Sequence, residues 1–200
     1  YIDADGKHYV LARKDGDKLA LTTLDPETGG LAGSFILESN RFDLHPSFLA
    51  SDRKLLGMSY TIDATVTKWL DDDMRAMQVT VDKLLPGTAN LLSVARRPQM
   101  SFALVQASSD VLPTVTYLYN SETHKLTLIG RSQPDIERRQ MGQMDFVRFL
   151  ARDGLEIPAY ITMPPGSAKK NLPLVVYVHG GPWIRGASWR WNAEVQFLAT

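Results

Sequence analysis

Short runs of alternating apolar and polar residues fill the first two thirds of the chain. Tyr9 to Arg13, Lys18 to Leu24, Leu55 to Thr61, Asn90 to Ala95, Ser101 to Gln106, Val115 to Asn120 and Lys125 to Ile129 are β-type runs bounded by turn-forming residues. Strands this short and numerous predict a sandwich, a barrel or a propeller. One segment breaks the pattern. Met74, Met77, Val81 and Leu84 recur at helical spacing, behind Asp71 to Asp73 and ahead of Pro86 and Gly87, and predict a short amphipathic helix. Three consecutive aspartates resemble a metal cluster. Acids at a helix N-terminus are explained more simply, because they accept from free backbone N–H groups and meet the positive end of the helix dipole.

An internal echo narrows the β architecture. Thr22 to Glu27, Val66 to Asp73 and Val115 to Glu122 each end a β run in an acidic or amide turn, with Asp25, Asp71 and Asn120 at equivalent positions 46 and 49 residues apart. That spacing matches the roughly 40 to 50 residues of a four-stranded propeller blade. The physical sense of the echo is a hairpin between outer strands, with Asp, Asn, Pro and Gly providing the turn. Similar hairpins in any antiparallel sheet would produce the same echo.

Residues 131–143 are polar and carry neither period, which marks a connection between domains. The expected division is 1–142 and 143–200. Beyond it, Asp145 to Ala151 and Glu156 to Met163 flank an Asp153-Gly154 step and predict a hairpin. Leu174 to Val178 is a continuous apolar run of the kind found in a strand covered on both faces, so the chain turns α/β in character there. Glu194 to Thr200 reads as the opening of a helix. With Tyr1 not an initiator Met and this helix unfinished, the sequence is expected to be an internal piece of a longer protein.

Composition removes several function classes. Lys plus Arg and Asp plus Glu both number 22, and the basic residues are scattered, which leaves no electrostatic footprint for nucleic acid. No run approaches the roughly 18 apolar residues of a membrane span. There is no cysteine, which excludes disulfides, thiolate metal sites and a cysteine nucleophile. His8, His45, His124 and His179 show no metal-ligand spacing, and no cofactor is implied. Compartment and oligomeric state are not legible.

The chemistry concentrates at His179-Gly180-Gly181-Pro182, directly after the apolar run. In open α/β sheets, ligands bind at the carboxyl ends of strands. A His-Gly-Gly loop there suits acyl transfer, whose tetrahedral intermediate needs backbone N–H groups aimed at a developing oxyanion. Gly180 and Gly181 let the main chain approach a substrate without a side chain in the way. His179 is read as shaping the turn rather than moving protons.

Leu172-Pro-Leu-Val-Val-Tyr-Val-His-Gly-Gly-Pro-Trp183, followed by Glu194-Val-Gln-Phe-Leu-Ala199, resembles the start of the catalytic domain in prolyl oligopeptidase family serine peptidases of the acylaminoacyl peptidase and dipeptidyl peptidase type. The Arg152 to Tyr160 hairpin and the blade-like turns are similar to that family too. The resemblance implies a β-rich fold, in which the C-terminal blades of a β-propeller precede the first strands of an incomplete α/β-hydrolase domain. It implies hydrolysis of short peptides, with Gly181 giving an oxyanion N–H and a Ser, Asp, His triad lying outside these residues. No Gly-x-Ser-x-Gly elbow occurs here, so the 200 residues alone are expected to be inactive. Trp183 and Arg185, with Trp189 and Trp191, either line a substrate pocket or pack between domains. Related sequences often carry an acid where Gly186 stands. Two other readings stay open: an esterase with a β-rich accessory domain, and a non-catalytic propeller that binds partners.

Overall fold

The computed structural model describes residues 1–13, 16–52, 54–93, 95, 100–168, 170–181 and 186–200. Among these residues, twelve strands and two α-helices succeed one another in chain order. The strands are β1 (His8–Arg13), β2 (Leu19–Leu24), β3 (Leu31–Leu37), β4 (Ser47–Ser51), β5 (Lys54–Thr61), β6 (Thr65–Trp69), β7 (Ala89–Ser93), β8 (Phe102–Ser108), β9 (Val115–Asn120), β10 (Lys125–Arg131), β11 (Gln143–Leu150) and β12 (Glu156–Met163). Helix α1 (Asp72–Leu84) lies between β6 and β7, and α2 (Ala193–Ala199) is the last element.

Every sheet is built from strands adjacent in sequence and paired antiparallel. Strands β1-β2-β3 and β4-β5-β6 form two three-stranded sheets, β7 to β10 a four-stranded one, and β11-β12 a hairpin. Three of these strands go beyond the runs that the sequence pattern marks: β3, β4 and the start of β6. Strand β3 contains Gly33 and Ser34 and lacks clean alternation, and its pairing with β2 slips in register between Leu21 and Thr23.

Two apolar clusters hold the sheets together. Tyr9, Leu21, Leu37, Leu44, Leu55 and Met58 join the first two sheets; Leu56, Trp69, Val81, Leu92, Val105 and Tyr119 join the second sheet, α1 and the third. Strand β5 serves both. Leu49 pairs with Gly57 and Ala50 with Leu55, which leaves Leu56 as an extra residue in a bulge. The bulge shifts the phase of the strand, so Leu55 and Met58, three apart, enter one cluster while Leu56 enters the other. Gly57 lies opposite Trp69, and a Cβ there would fall 2.6 Å from the indole Cε3.

The three echoed turn positions share one device with different outcomes. Asp25 accepts the Glu27 N–H at 2.9 Å and the Thr28 hydroxyl at 2.8 Å, closing the β2–β3 turn. Asn120 accepts from the N–H of Glu122 and Thr123 at 2.9 and 3.0 Å, closing β9–β10. Asp71 makes the same bond to the Met74 N–H at 3.2 Å, but there it caps α1 instead of turning a hairpin. The equivalence of Asp71 with the other two is thereby corrected. An Asx oxygen accepting two or three residues ahead opens a turn or a helix, and the downstream residues decide which. Lys54 also reaches Asp71 at 2.9 Å, and this bond holds the Asp71 carboxyl below its ordinary range. Among the described residues no group of three or more acids or histidines is arranged to hold a metal.

Candidate functional site

The β11–β12 hairpin forms as its sequence predicts, with eight paired positions from Gln143↔Met163 to Leu150↔Glu156 and Gly154 in the left-handed region at φ 84°. Phe146 lies against Tyr160 and under the Arg148 guanidinium, whose carbon stands 4.6 Å from the ring centre. The hairpin is fastened to the turn after β5: the Tyr160 hydroxyl donates to the Asp63 carbonyl, and the Trp189 N–H donates to the same oxygen at 3.2 Å.

The apolar run after the hairpin departs from the expected strand and is a correction. Leu174 to Val178 is irregular, with exposures from 56 to 80% and no strand paired to it among the described residues. A strand is defined by its neighbours' hydrogen bonds. A run read as covered on both faces needs partner strands on both sides, and hairpin pairing provides none for this one. The run is tied to α2 by the Tyr177 hydroxyl, which donates to the Glu194 carboxylate and is pushed up in pKa by that bond.

The His-Gly-Gly loop stands at the end of this run. His179 is exposed, and its Nδ1 stands 3.0 Å from the Gly180 carbonyl oxygen, a contact confined to the turn. Gly181 has φ 77°, a conformation that side chains other than glycine's rarely adopt. Gly180 is not left-handed, and a Cβ on it would meet nothing within 4 Å, so packing does not demand glycine there. A Cβ on Gly186 would fall 2.0 Å from His179 Cγ, so an acid at this position does not fit the loop as folded. Trp183 and Arg185 lie outside the described residues. Trp191 donates its backbone N–H to the Ser109 carbonyl at 2.7 Å and its indole Nε1–H toward Met141 Sδ at 3.3 Å.

Helix α2 begins where expected, with Asn192 accepting the Val195 N–H at 2.9 Å as its cap. Its faces are inverted relative to its composition. Phe197 is 82% exposed, beside a hollow of about 370 Å³ that it lines with Ala193, Glu194 and Leu198, while Gln196 is 3% exposed. Polar contacts of Gln196, Asp110 and Asp63 were invisible to pattern reading, since a glutamine in an apolar-periodic helix reads as a surface residue. A second hollow, of about 190 Å³, lies between Arg41, Phe42 and the hairpin residues Arg148, Glu156 and Pro158. No helix among the described residues is long and apolar enough to cross a membrane.

No protein-family model matches the chain. Two curated relatives do. Dipeptidyl aminopeptidase BIII of Pseudoxanthomonas mexicana is 26% identical over 208 aligned positions, covering 99% of this chain and 29% of that protein. Dipeptidyl peptidase family member 6 of Caenorhabditis elegans is 27% identical over 133 positions, covering 56% of this chain and 18% of that protein. Among solved structures, a prolyl endopeptidase overlaps 84% of this chain and 25% of its own at 19% identity and a TM-score of 0.45. The chain thus spans less than a third of the length of the curated relatives it matches. Along nearly its whole length the chain is thus similar to a dipeptidyl aminopeptidase, in line with the resemblance that the sequence carries.

Proposed function

We propose that these residues are the part of a serine peptidase that precedes its nucleophile, in a protein that hydrolyses short peptides through an acyl-enzyme. The match to a dipeptidyl aminopeptidase along 99% of the chain carries this reading. In it, residues 1–142 are propeller blades and 143–200 open the α/β-hydrolase domain. The succession of antiparallel sheets, each made of sequence neighbours, supports the blades.

The His179-Gly180-Gly181 loop is the oxyanion loop. A serine elsewhere in the protein attacks the peptide carbonyl, and the carbonyl oxygen becomes an anion that the Gly181 N–H receives. The left-handed φ of Gly181 supports this, because it lets the peptide plane turn outward from the chain direction at no side-chain cost. His179, bonded within its own turn, shapes the loop. Trp183 and Arg185 border the peptide, with the guanidinium able to pair a substrate carboxylate.

The test is intact-mass measurement of the full gene product after treatment with a fluorophosphonate, which bonds covalently to an activated serine. One stoichiometric adduct, mapped outside residues 1–200, is the expected result. No adduct on a folded protein would replace this reading with a binding propeller. Turnover of esters with no turnover of matched amides would replace it with an esterase.

A further inference from the structure

Gln196 is buried on a helix that leaves Phe197 in solvent, and its surroundings explain the inversion. Its Oε1 accepts the Gly142 N–H at 2.7 Å, and its Nε2 donates to the carbonyls of Gly142 at 2.9 Å and Asp110 at 3.0 Å. Asp110, itself buried, accepts the Met144 N–H on Oδ2 at 2.8 Å. The adjoining Ser109 carbonyl takes the Trp191 N–H at 2.7 Å. Three distant stretches therefore meet at one amide: the β8–β9 turn, the entry to β11 and helix α2. A glutamine suits this place because one carboxamide both accepts and donates, and the three bonds it makes to backbone groups are buried, where an unmade hydrogen bond is costly.

The loop at His179 to Gly181 lies between two anchored stretches. Before it, β12 is tied through Tyr160 to the Asp63 carbonyl; after it, Trp189 returns to that same oxygen and Gln196 closes on Asp110 and Gly142. Among the described residues the loop itself makes no such tie, since the His179 contact stays within the turn.

We propose that Gln196 is a positioning residue: its carboxamide clamps the segment bearing the His179-Gly180-Gly181 loop to the β8–β9 turn and so sets where that loop stands. The clamp is independent of the peptidase reading; what the loop does once positioned rests on it.

The experiment is amide hydrogen exchange on the full gene product and on Gln196→Met, which keeps the side-chain volume and removes all three hydrogen bonds. Exchange at Gly142 and Met144 is expected to rise about tenfold or more, while amides of β2 and β5 stay protected. Unchanged protection at Gly142 would overturn the clamp. If Gln196→Met does not fold, the wild type decides: Gly142, Met144 and Trp191 must then exchange as one cooperative unit, and rates differing by more than about tenfold among them would overturn it. Where the wild type turns over peptide, Gln196→Met lowers kcat with KM unchanged. Loosened exchange with unaltered kcat would refute the positioning role. A wild type without activity counts against the peptidase reading alone, and the exchange result still decides the clamp.

Discussion

The stretch up to β10 and the stretch after it are similarly rich in apolar residues and fold by different rules. Every member of both apolar clusters lies between Tyr9 and Leu126, and every sheet there pairs strands adjacent in sequence. After β10, among the described residues, only the β11–β12 hairpin pairs, and Leu174 to Val178 stands in solvent. A hairpin closes a loop of a few residues, so its partner is always at hand. A strand of the parallel, doubly covered kind draws its partners from across long crossovers, and its sequence says nothing of where they are.

The contrast can be broken by substitution. Met58 is fully buried at the meeting of the first two sheets. Met58→Ala is expected to cost about 2–5 kcal/mol of stability in urea unfolding. Val176→Ala, at a site 73% exposed, is expected to stay within about 0.5 kcal/mol. Equal costs would mean that the apolar run is buried after all.

The first sheet also carries an alkaline signature. Burial, with Asp3 accepting from the hydroxyl at 3.2 Å, pushes Tyr9 up to about 12 from 10.0. The folded state thus holds this proton where the unfolded chain has lost it. Its contribution is intact below pH 10 and is lost as pH rises toward 12, by about 2–3 kcal/mol. Unfolding free energies across that window should fall in the wild type and fall less steeply in Tyr9→Phe.

Gly57→Ala sharpens the view of β5. The added methyl meets Trp69 Cε3 at 2.6 Å and the Lys68 carbonyl oxygen at 2.8 Å, and the second is backbone that has no rotamer with which to yield. A loss of about 1–3 kcal/mol is expected from thermal or urea unfolding. A neutral result would show that the β6 backbone at Lys68 shifts together with the Trp69 ring.

The smallest loss among these buried or capping positions comes from Asp71. Asp71→Ala removes the α1 cap and should cost about 0.5–2 kcal/mol. Its partner Lys54 is largely exposed, so the ion pair itself contributes only about 0–1 kcal/mol of this. Because Lys54 lowers the folded-state pKa of Asp71, the contribution is present above the ordinary carboxylate range and disappears as pH falls through the lowered value. Asp71→Asn keeps the capping oxygen and should flatten that acid limb, which acid titration of stability would reveal.

The β11–β12 hairpin was legible because Asp153-Gly154 and the alternation around it act within a few residues, and α1 was legible for the same reason. The echo of Asp25, Asp71 and Asn120 was legible as chemistry and misleading as topology. All three oxygens accept backbone N–H groups just ahead, yet one of them starts a helix because Met74, Met77 and Val81 come after it. The bulge at Leu56 left no mark in the pattern, since Leu55, Leu56 and Met58 simply read as an apolar run. At the candidate loop, Gly181 has the left-handed φ that suits glycine, while Gly180 has neither such a φ nor a crowded Cβ position. For Trp191 the sequence allows either pocket or packing, and the contact of its indole Nε1–H with Met141 Sδ, 50 residues away, is one the pattern does not show.

The sequence by itself determined what local physics governs: the β9–β10 and β11–β12 hairpins, the Asp71 cap of α1 and the placement of a His-Gly-Gly turn after an apolar run. Tertiary structure alone decided which face of α2 is buried. Gln196 is chosen over Phe197 because its partners are backbone groups at Gly142 and Asp110, 54 and 86 residues away, and unpaired polar groups in a buried junction cost more than one exposed ring.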